Sequence, residues 1–229
     1  MYHNVCEDEK NSTGLRISSD KLERQFQYLT EKNYSSFHLS ELENASSIPT
    51  KSIVITFDDV TENQLFYAVP LLVKYNLKAT FFVPFAYIGK ANSWDEGEEK
   101  IMTIEQLTGL SDLVELGNHS YAHKKYATLT QTEINADFDN CFKVIAENKL
   151  KVYNAVAYPY GNYPKKGNKK SAFIAILKEN KMKMGLRIGN RINLFPLKNP
   201  FEIMRIDIKG QDSLLKFKLK IRFGKLKLF

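Results

Sequence analysis

The sequence predicts an α/β fold with a mostly parallel sheet. Strand-like apolar runs alternate with helix-like amphipathic stretches along most of the chain, the order expected of βα units. The clearest run, Ile53-Val54-Ile55-Thr56-Phe57, is β-branched at four of its five positions and has the length of a buried strand. No internal repeat or low-complexity linker interrupts the pattern.

Taken in order, Tyr2-His3-Asn4-Val5 reads as a short strand or strand end, and Glu7–Gly14 as a polar loop. Asp20 and Glu23 have capping-box spacing. They open a helix with Leu22, Phe26 and Leu29 on one face, ending near Asn33. Phe37–Leu42 reads as a short strand and turn, and residues 46–51 as a loop leading to the central strand. Thr61 caps a helix through Leu65, Val69, Leu72 and Val73 to Asn76, in which Pro70 forces a kink or a late start. Ala79–Val83 is a strand stopped by Pro84. The long polar loop from Ala86 to Lys100 carries the sole tryptophan, Trp94, and such loops often shape a substrate groove. Thr103 and Gln106 start a short helix, Leu113–Leu116 is the next strand, and Thr130 with Glu133 opens a helix to about Asn148. Val152–Ala157 is strand-like, the region around Ala172–Asn180 is helical, and Met182–Ile188 and Glu202–Ile208 read as the last strands. From Leu214 onward apolar and basic residues alternate with period two, a strand pattern rather than a helical one. An edge strand, a flexible tail and a membrane-surface segment are the readings open there. The chain is accordingly divided into a domain over residues 1–210 and a basic, apolar C-terminal segment over 211–229.

Two carboxylates, Asp58 and Asp59, arrive where the central strand ends. Adjacent acids in such a place are costly unless a cation or a proton neutralises them. A second cluster, Gly117-Asn118-His119-Ser120-Tyr121-Ala122-His123, follows the strand-like Leu113–Leu116. Its two imidazoles, four residues apart, reach one ion if that turn is helical. An Asp-Asp pair alone also suits a turn, an N-cap or the acidic pocket of a phospho-receiver domain. The joint pattern is more specific, because the chain has only four histidines. We read Asp59, His119 and His123 as three ligands of one divalent metal, since three protein ligands with an open position is the catalytic arrangement. Asp58 is left as a base. Imidazole and carboxylate donors suit Zn first, with Fe, Co or Ni as alternatives. Neither Cys6 nor Cys141 lies near either motif.

Thr56-Phe57-Asp58-Asp59, then His119-Ser120-x-x-His123, then Ala157-Tyr158-Pro159-Tyr160-Gly161 resemble, in order and spacing, the three motifs of the polysaccharide deacetylases, carbohydrate esterase family 4. The resemblance runs from about Tyr2 to Lys209 and is stronger to the branch acting on poly-N-acetylglucosamine exopolysaccharide, which begins with a Tyr-His strand. It implies a distorted, incomplete (β/α) barrel of the polysaccharide-deacetylase type, with the site at the C-terminal ends of the strands. Asp58, Asp59, His119 and Tyr160 all follow strand-like runs, as this requires. It also implies metal-dependent hydrolysis of N-acetyl groups on an amino-sugar polysaccharide, oligosaccharide or glycan precursor. The backbone N–H of Tyr160 would help hold the oxyanion, Tyr158, Pro159 and Trp94 would contact substrate, and His3 would be the general acid, supported by Asp207. Arg205 would brace Asp58 from a later strand, or make an ordinary ion pair. Two positions depart from the family pattern: Val60 stands where a Gly usually follows the two acids, and Ala157 where an Arg often stands, although the exopolysaccharide branch shares that Ala. A metal amidohydrolase of a non-sugar amide and a catalytically degenerate glycan-binding protein are the alternatives.

Composition sets outer bounds. The chain of 229 residues is 43% hydrophobic, enough for one sizeable core. It has no run of transmembrane length and no basic-then-apolar leader at its start, so the expectation is a cytoplasmic protein with free thiols. The net charge of +7 is concentrated at Lys165, Lys166, Lys169 and Lys170 and from Lys216 to Lys227. The partner expected is an N-acetylated glycan, with no nucleic acid, and with membrane contact open through the C-terminal segment; the sequence leaves the oligomeric state undetermined.

Overall fold

The computed structural model describes residues 1–94 and 99–224. Its elements are β1 (Asn4–Cys6), β2 (Arg16–Ser18), α1 (Ser19–Glu31), β3 (Ser35–Ser36), α2 (Leu39–Glu43), β4 (Ser52–Ile53), β5 (Ile55–Asp58), α3 (Val69–Tyr75), β6 (Ala79–Val83), α4 (Ile104–Thr108), β7 (Val114–Asn118), α5 (Gln131–Glu147), β8 (Val152–Ala157), α6 (Gly167–Glu179), β9 (Met184–Ile188), β10 (Ile203–Arg205) and α7 (Leu214–Phe223). Strands β5 to β10 form one six-stranded sheet in sequence order, every pairing parallel. Helices cross over between them, giving the incomplete (β/α) barrel expected.

Alternation along the strands sorts their side chains into two layers. Phe82, Ala155, Ala157, Met184, Leu186 and Ile203 form one cluster with Leu39 of α2. Phe57, Phe81, Val83 and Leu116 join the larger cluster with Leu22, Phe26 and Leu29 of α1 and Leu72 of α3. Gly117 shows how tight the first layer is: a Cβ there would come within 2.6 Å of the Phe82 ring.

The sheet does not close by direct pairing of β5 with β10. The chain before β1 fills the seam instead. The Met1 nitrogen donates to Ile206 O and the Ile208 N–H to Met1 O, while the Tyr2 N–H donates to Thr56 O and the Asp58 N–H to Tyr2 O. Met1 and Tyr2 thus serve as a two-residue stave, and His3 follows at its upper end. Stacking of Tyr2 on Phe57 at 5.1 Å, with the Tyr2 hydroxyl donating to Gln25, fastens the stave to the core.

Four expectations change. Leu39–Glu43 is a helix rather than part of a strand, because the Glu115 carboxylate accepts from the Leu39 and Ser40 N–H groups and caps its start. The break at Pro70 takes the form of a π-helical turn, Gln64–Ala68, that hands over to α3. Helix α6 starts at Gly167, earlier than read. Finally, the period-two segment is helical over Leu214–Phe223. Leu214, Phe217 and Ile221 are also spaced i, i+3 and i+7, and they pack into the main cluster, with Phe217 edge-on to Tyr28. Helical hydrogen bonding and burial of Phe217 outweigh the strand-like alternation. The described part of the C-terminal segment is therefore joined to the core; residues 225–229 lie outside the described residues. No helix among the described residues is long and apolar enough to cross a membrane.

The helical reading makes a sharp contrast testable by urea unfolding. Phe217→Ala, at a site 1% exposed, should cost about 3–5 kcal/mol. Leu215→Ala, at a site 67% exposed, should stay within about 0.5 kcal/mol of the parent. Equal effects at the two positions would contradict the packing of α7.

Candidate active site

The two acids at the end of β5 point to different partners because the chain turns sharply between them. Asp59 and Val60 have φ of 76° and 44°, the left-handed region that costs a non-Gly residue energy, most of all a β-branched one. Asp58 stays in register with the strand and meets β10. Arg205 donates from both terminal nitrogens to its two oxygens, at 2.5 and 2.8 Å, and both residues are buried. Burial alone would raise the Asp58 pKa; Arg205, then His119 and His3, outweigh it and hold the carboxyl below the usual carboxylate range. Arg205 thus meets Asp58 from a later strand as a buried, two-pronged ion pair.

Asp59 faces the histidines. One carboxylate oxygen of Asp59 and one ring nitrogen each of His119 and His123 lie within 4.8 Å of one another. Asp59 Oδ1 is 3.5 Å from His119 Nε2 and 3.4 Å from His123 Nε2. His119 Nδ1 is 2.8 Å from Ala157 O, so it carries the proton there and presents the Nε2 lone pair to the cluster. Burial lowers the pKa of both rings, that of His123 to about 2, which leaves them neutral as a metal ligand must be. Three donor atoms converge at separations longer than a direct hydrogen bond. The donor set and the tautomer therefore fit a divalent ion.

The histidine turn is not helical, contrary to expectation. Ser120 and His123 are left-handed at φ of 66° and 52°, and the Asn118 side chain accepts from the Ser120 N–H at 2.7 Å. The turn is held from below by Asp137 of α5, whose carboxylate accepts from the Tyr121 and Ala122 N–H groups at 2.9 and 3.3 Å. The sequence reading missed Asp137; its signal is an acid set among Ile134, Phe138 and Cys141 on the buried face of a helix. Gln64 was missed as well. Fully buried, its side-chain NH₂ donates to both His3 O (3.0 Å) and Asp58 O (2.6 Å), tying the stave to the end of β5.

His3 reaches the site, with Nε2 3.6 Å from Asp58 Oδ2. Its acidic neighbour is Asp58 and not Asp207, which pairs with Lys209 and Lys220. Burial pulls the His3 pKa down to about 4 against the opposing pull of Asp58. The third motif forms a turn at Pro159–Gly161 in which Tyr160 is left-handed and half exposed, its ring 4.8 Å from His123 and under Lys125. Pro159 is buried at the head of that turn. Tyr158 is 1% exposed and donates to Phe201 O at 2.8 Å. It packs among Tyr126, Tyr163 and Phe173, so it supports the core instead of touching substrate. Trp94 lies flat on His123, with centroids 3.9 Å apart, and edge-on to Tyr87; residues 95–98 of its loop lie outside the described residues.

Comparison with known proteins agrees with this geometry. Residues 45–184, more than half of the chain, match the family model described as polysaccharide deacetylase. A relative in Staphylococcus aureus (strain MSSA476), a poly-beta-1,6-N-acetyl-D-glucosamine N-deacetylase, is 27% identical over 162 residues, covering 66% of this chain and 56% of its own. The chain thus spans little more than half the length of that relative. Among solved structures, the Streptococcus pyogenes deacetylase PplD in complex with acetate has a TM-score of 0.76 at 20% identity, covering 96% of both chains. IcaB from Ammonifex degensii has a TM-score of 0.77 at 20% identity, covering 96% of this chain and 94% of its own. These two likenesses speak for the fold.

Two measurements test the site. Trp94 is the only tryptophan, so its emission reports on His123. Adding Co²⁺ to chelator-treated protein should quench that emission saturably at one ion per chain. Asp59→Ala and His119→Ala should each raise the midpoint by about tenfold or more; unchanged midpoints would exclude the triad. For the buried pair, Arg205→Met should destabilise by about 3–5 kcal/mol, because it strands a buried carboxylate. Arg205→Met with Asp58→Leu should recover most of that loss in the same unfolding assay.

Proposed function

The chain belongs to the polysaccharide deacetylase family, and from that premise we propose that it removes N-acetyl groups from an amino-sugar glycan. The observation that carries this reading is the convergence of Asp59, His119 and His123 beside the braced carboxylate of Asp58. The relative named as a poly-beta-1,6-N-acetyl-D-glucosamine N-deacetylase makes a polymer of N-acetylglucosamine the substrate to try first, and zinc is the ion proposed.

Hydrolysis of an acetamide needs an activated water, a polarised carbonyl, a held oxyanion and a protonated amine. Asp59, His119 and His123 would hold a divalent ion, which when bound would supply Lewis acidity to the carbonyl and the water, help that matters because Arg205 weakens Asp58 as a base. Asp58 takes the proton of the attacking water, with Arg205 fixing both carboxylate oxygens. The Tyr160 backbone N–H is assigned to hold the developing oxyanion, by resemblance to the family. His3 enters the cycle neutral, since burial holds its pKa near about 4. It becomes an acid only after receiving a proton inside the site, and Asp58, 3.6 Å away, is placed to pass on the one taken from water. The carbon–nitrogen bond then breaks as His3 gives that proton to the departing amine. Tyr160, Lys125 and Trp94 flank the site as surfaces for sugar rings.

Acetate release from N-acetylglucosamine oligomers is the direct test. Asp58→Asn should keep its metal and lose about 10²–10⁴ in kcat. His3→Ala should lose about 10² or more on acetamides but much less on an acetyl ester of a good phenol, which departs without a proton. Equal losses on amide and ester would remove His3 as the acid, and no release from any N-acetylated glycan by metal-loaded protein would overturn the reading.

A further inference from the structure

Away from the catalytic end, the seam between β5 and β10 encloses a second feature, a cavity of about 220 Å³. It lies between the two apolar layers of the fold. Leu39, Leu186 and Ile203 line it from the inner cluster, and Ile208, Phe217 and Ile221 from the outer one. The cavity opens to solvent on one side, and its volume exceeds the roughly 150 Å³ of an apolar protein cavity that accepts a hydrocarbon guest. The lining contains no acid. Its only charged side chains are Arg205, committed to Asp58, and Arg191. Arg191 is exposed and has no ion-pair partner among the described residues. Beside Arg191 the chain displays apolar side chains to solvent, Ile192 at 46% and Leu194 at 78% exposure, and both also line the cavity. An apolar interior, an apolar lip and one uncommitted cation at that lip form a combination that a solvated surface does not need.

We propose that the seam cavity binds the hydrocarbon chain of one anionic amphiphile, a fatty acid or a prenyl or acyl phosphate, with Arg191 pairing to its head group. The chain buries against Leu186, Ile203 and Phe217, and Leu194 covers it at the mouth. Arg205 both lines the cavity and braces Asp58, so binding is read directly and not through turnover.

The probe is a dansylated fatty acid, titrated below its micelle concentration into the full, metal-loaded chain. Saturable binding of one probe per chain is expected, displaced by decyl phosphate or decanoate at about one-tenth the concentration of decanol or less, a difference of about 1.4 kcal/mol. Arg191→Glu should abolish that preference while leaving displacement by decanol unchanged. Leu197→Trp, which fills the cavity from its partly exposed lid, should lose probe binding. Leu194→Asp, at a position too exposed to endanger folding, should weaken it by about tenfold. A second arm asks where the chain comes from: vesicles containing an anionic phospholipid should compete with the soluble probe for the parent protein and not for Leu197→Trp. Absence of saturable probe binding by the parent overturns the proposal. So does vesicle binding that persists in Leu197→Trp and in Arg191→Glu, which would reduce the effect to adsorption on surface lysines.

Discussion

The ion pair between Asp58 and Arg205 is the interaction on which the structure turns. It joins two residues 147 positions apart, on the two edge strands of one open sheet. Taking two charges out of water is expensive, and their attraction offsets that cost only when the geometry is good and the remaining polar atoms are satisfied. Two short hydrogen bonds meet the first condition. The second is not fully met, since the buried Arg205 Nε has no hydrogen-bond partner among the described residues; the seam instead fixes the Asp58 backbone, whose N–H donates to Tyr2 O and whose carbonyl accepts from Gln64. Closing the barrel and fixing the Asp58 carboxylate are therefore one event. The sheet cannot open at the seam without exposing a fixed carboxylate to water, and the carboxylate cannot be re-aimed without pulling on β10.

A second constraint is local. Asp59, Val60, Ser120, His123 and Tyr160 all have positive φ without being glycine, and all sit just beyond the C-terminal ends of β5, β7 and β8. Residues in such conformations persist only where their surroundings over-determine them. The surroundings can be named: Val60 is fully buried in the core, Asn118 and Asp137 hold the histidine turn, and packing around Gly161 and Ile188 confines the Tyr160 turn. Val60 is notable because the family pattern puts glycine there. The left-handed turn survives without glycine because the side chain gains core contacts that a glycine lacks, and these offset the backbone cost. The result is that successive carboxylates diverge, one toward Arg205 and His3, the other toward the imidazoles.

How much of this was legible in sequence follows from the range of each interaction. The triad and Asp58 were legible because motif spacing is local and the residue types are chemically narrow. The strands of the main sheet were legible because buried parallel strands write continuous apolar runs, whereas the short β2 and β3, Arg16–Ser18 and Ser35–Ser36, have no such run and were not. Arg205 was visible only as a charge in the last strand; its partner depends on which strands become neighbours across the seam. Asp137 and Gln64 act through backbone groups, and a carboxylate or amide that binds backbone leaves no paired residue to find. The C-terminal helix was misread for a different reason. Its alternation of leucine and lysine fits period two, while the spacing of Leu214, Phe217 and Ile221 fits a helix equally well, and only the surface offered by α1 and Tyr28 decides between them. Tyr158 was misassigned because a motif shows that a residue is adjacent to the site and not which way its ring points.

The placement of His3 depends on the same seam. The proposed acid must lie near the proposed base, and His3 lies beside Asp58 only because Met1 and Tyr2 pair with the chain after β10 on one side and with β5 on the other. The residue that would give a proton to the amine is thus carried by the same two-residue stave that completes the barrel. Gln64 spans the remaining gap, with one NH₂ group shared between the His3 and Asp58 carbonyls. It lies at the start of a π-helical turn, Gln64–Ala68, a local widening that recurs at functional sites. The turn separates helical residues 62–63 from α3, where Pro70 has no N–H to donate four residues back, so the widened turn that places Gln64 between His3 and Asp58 is linked to that proline. The separation of Asp58 and His3 then depends on seam geometry rather than on either side chain alone.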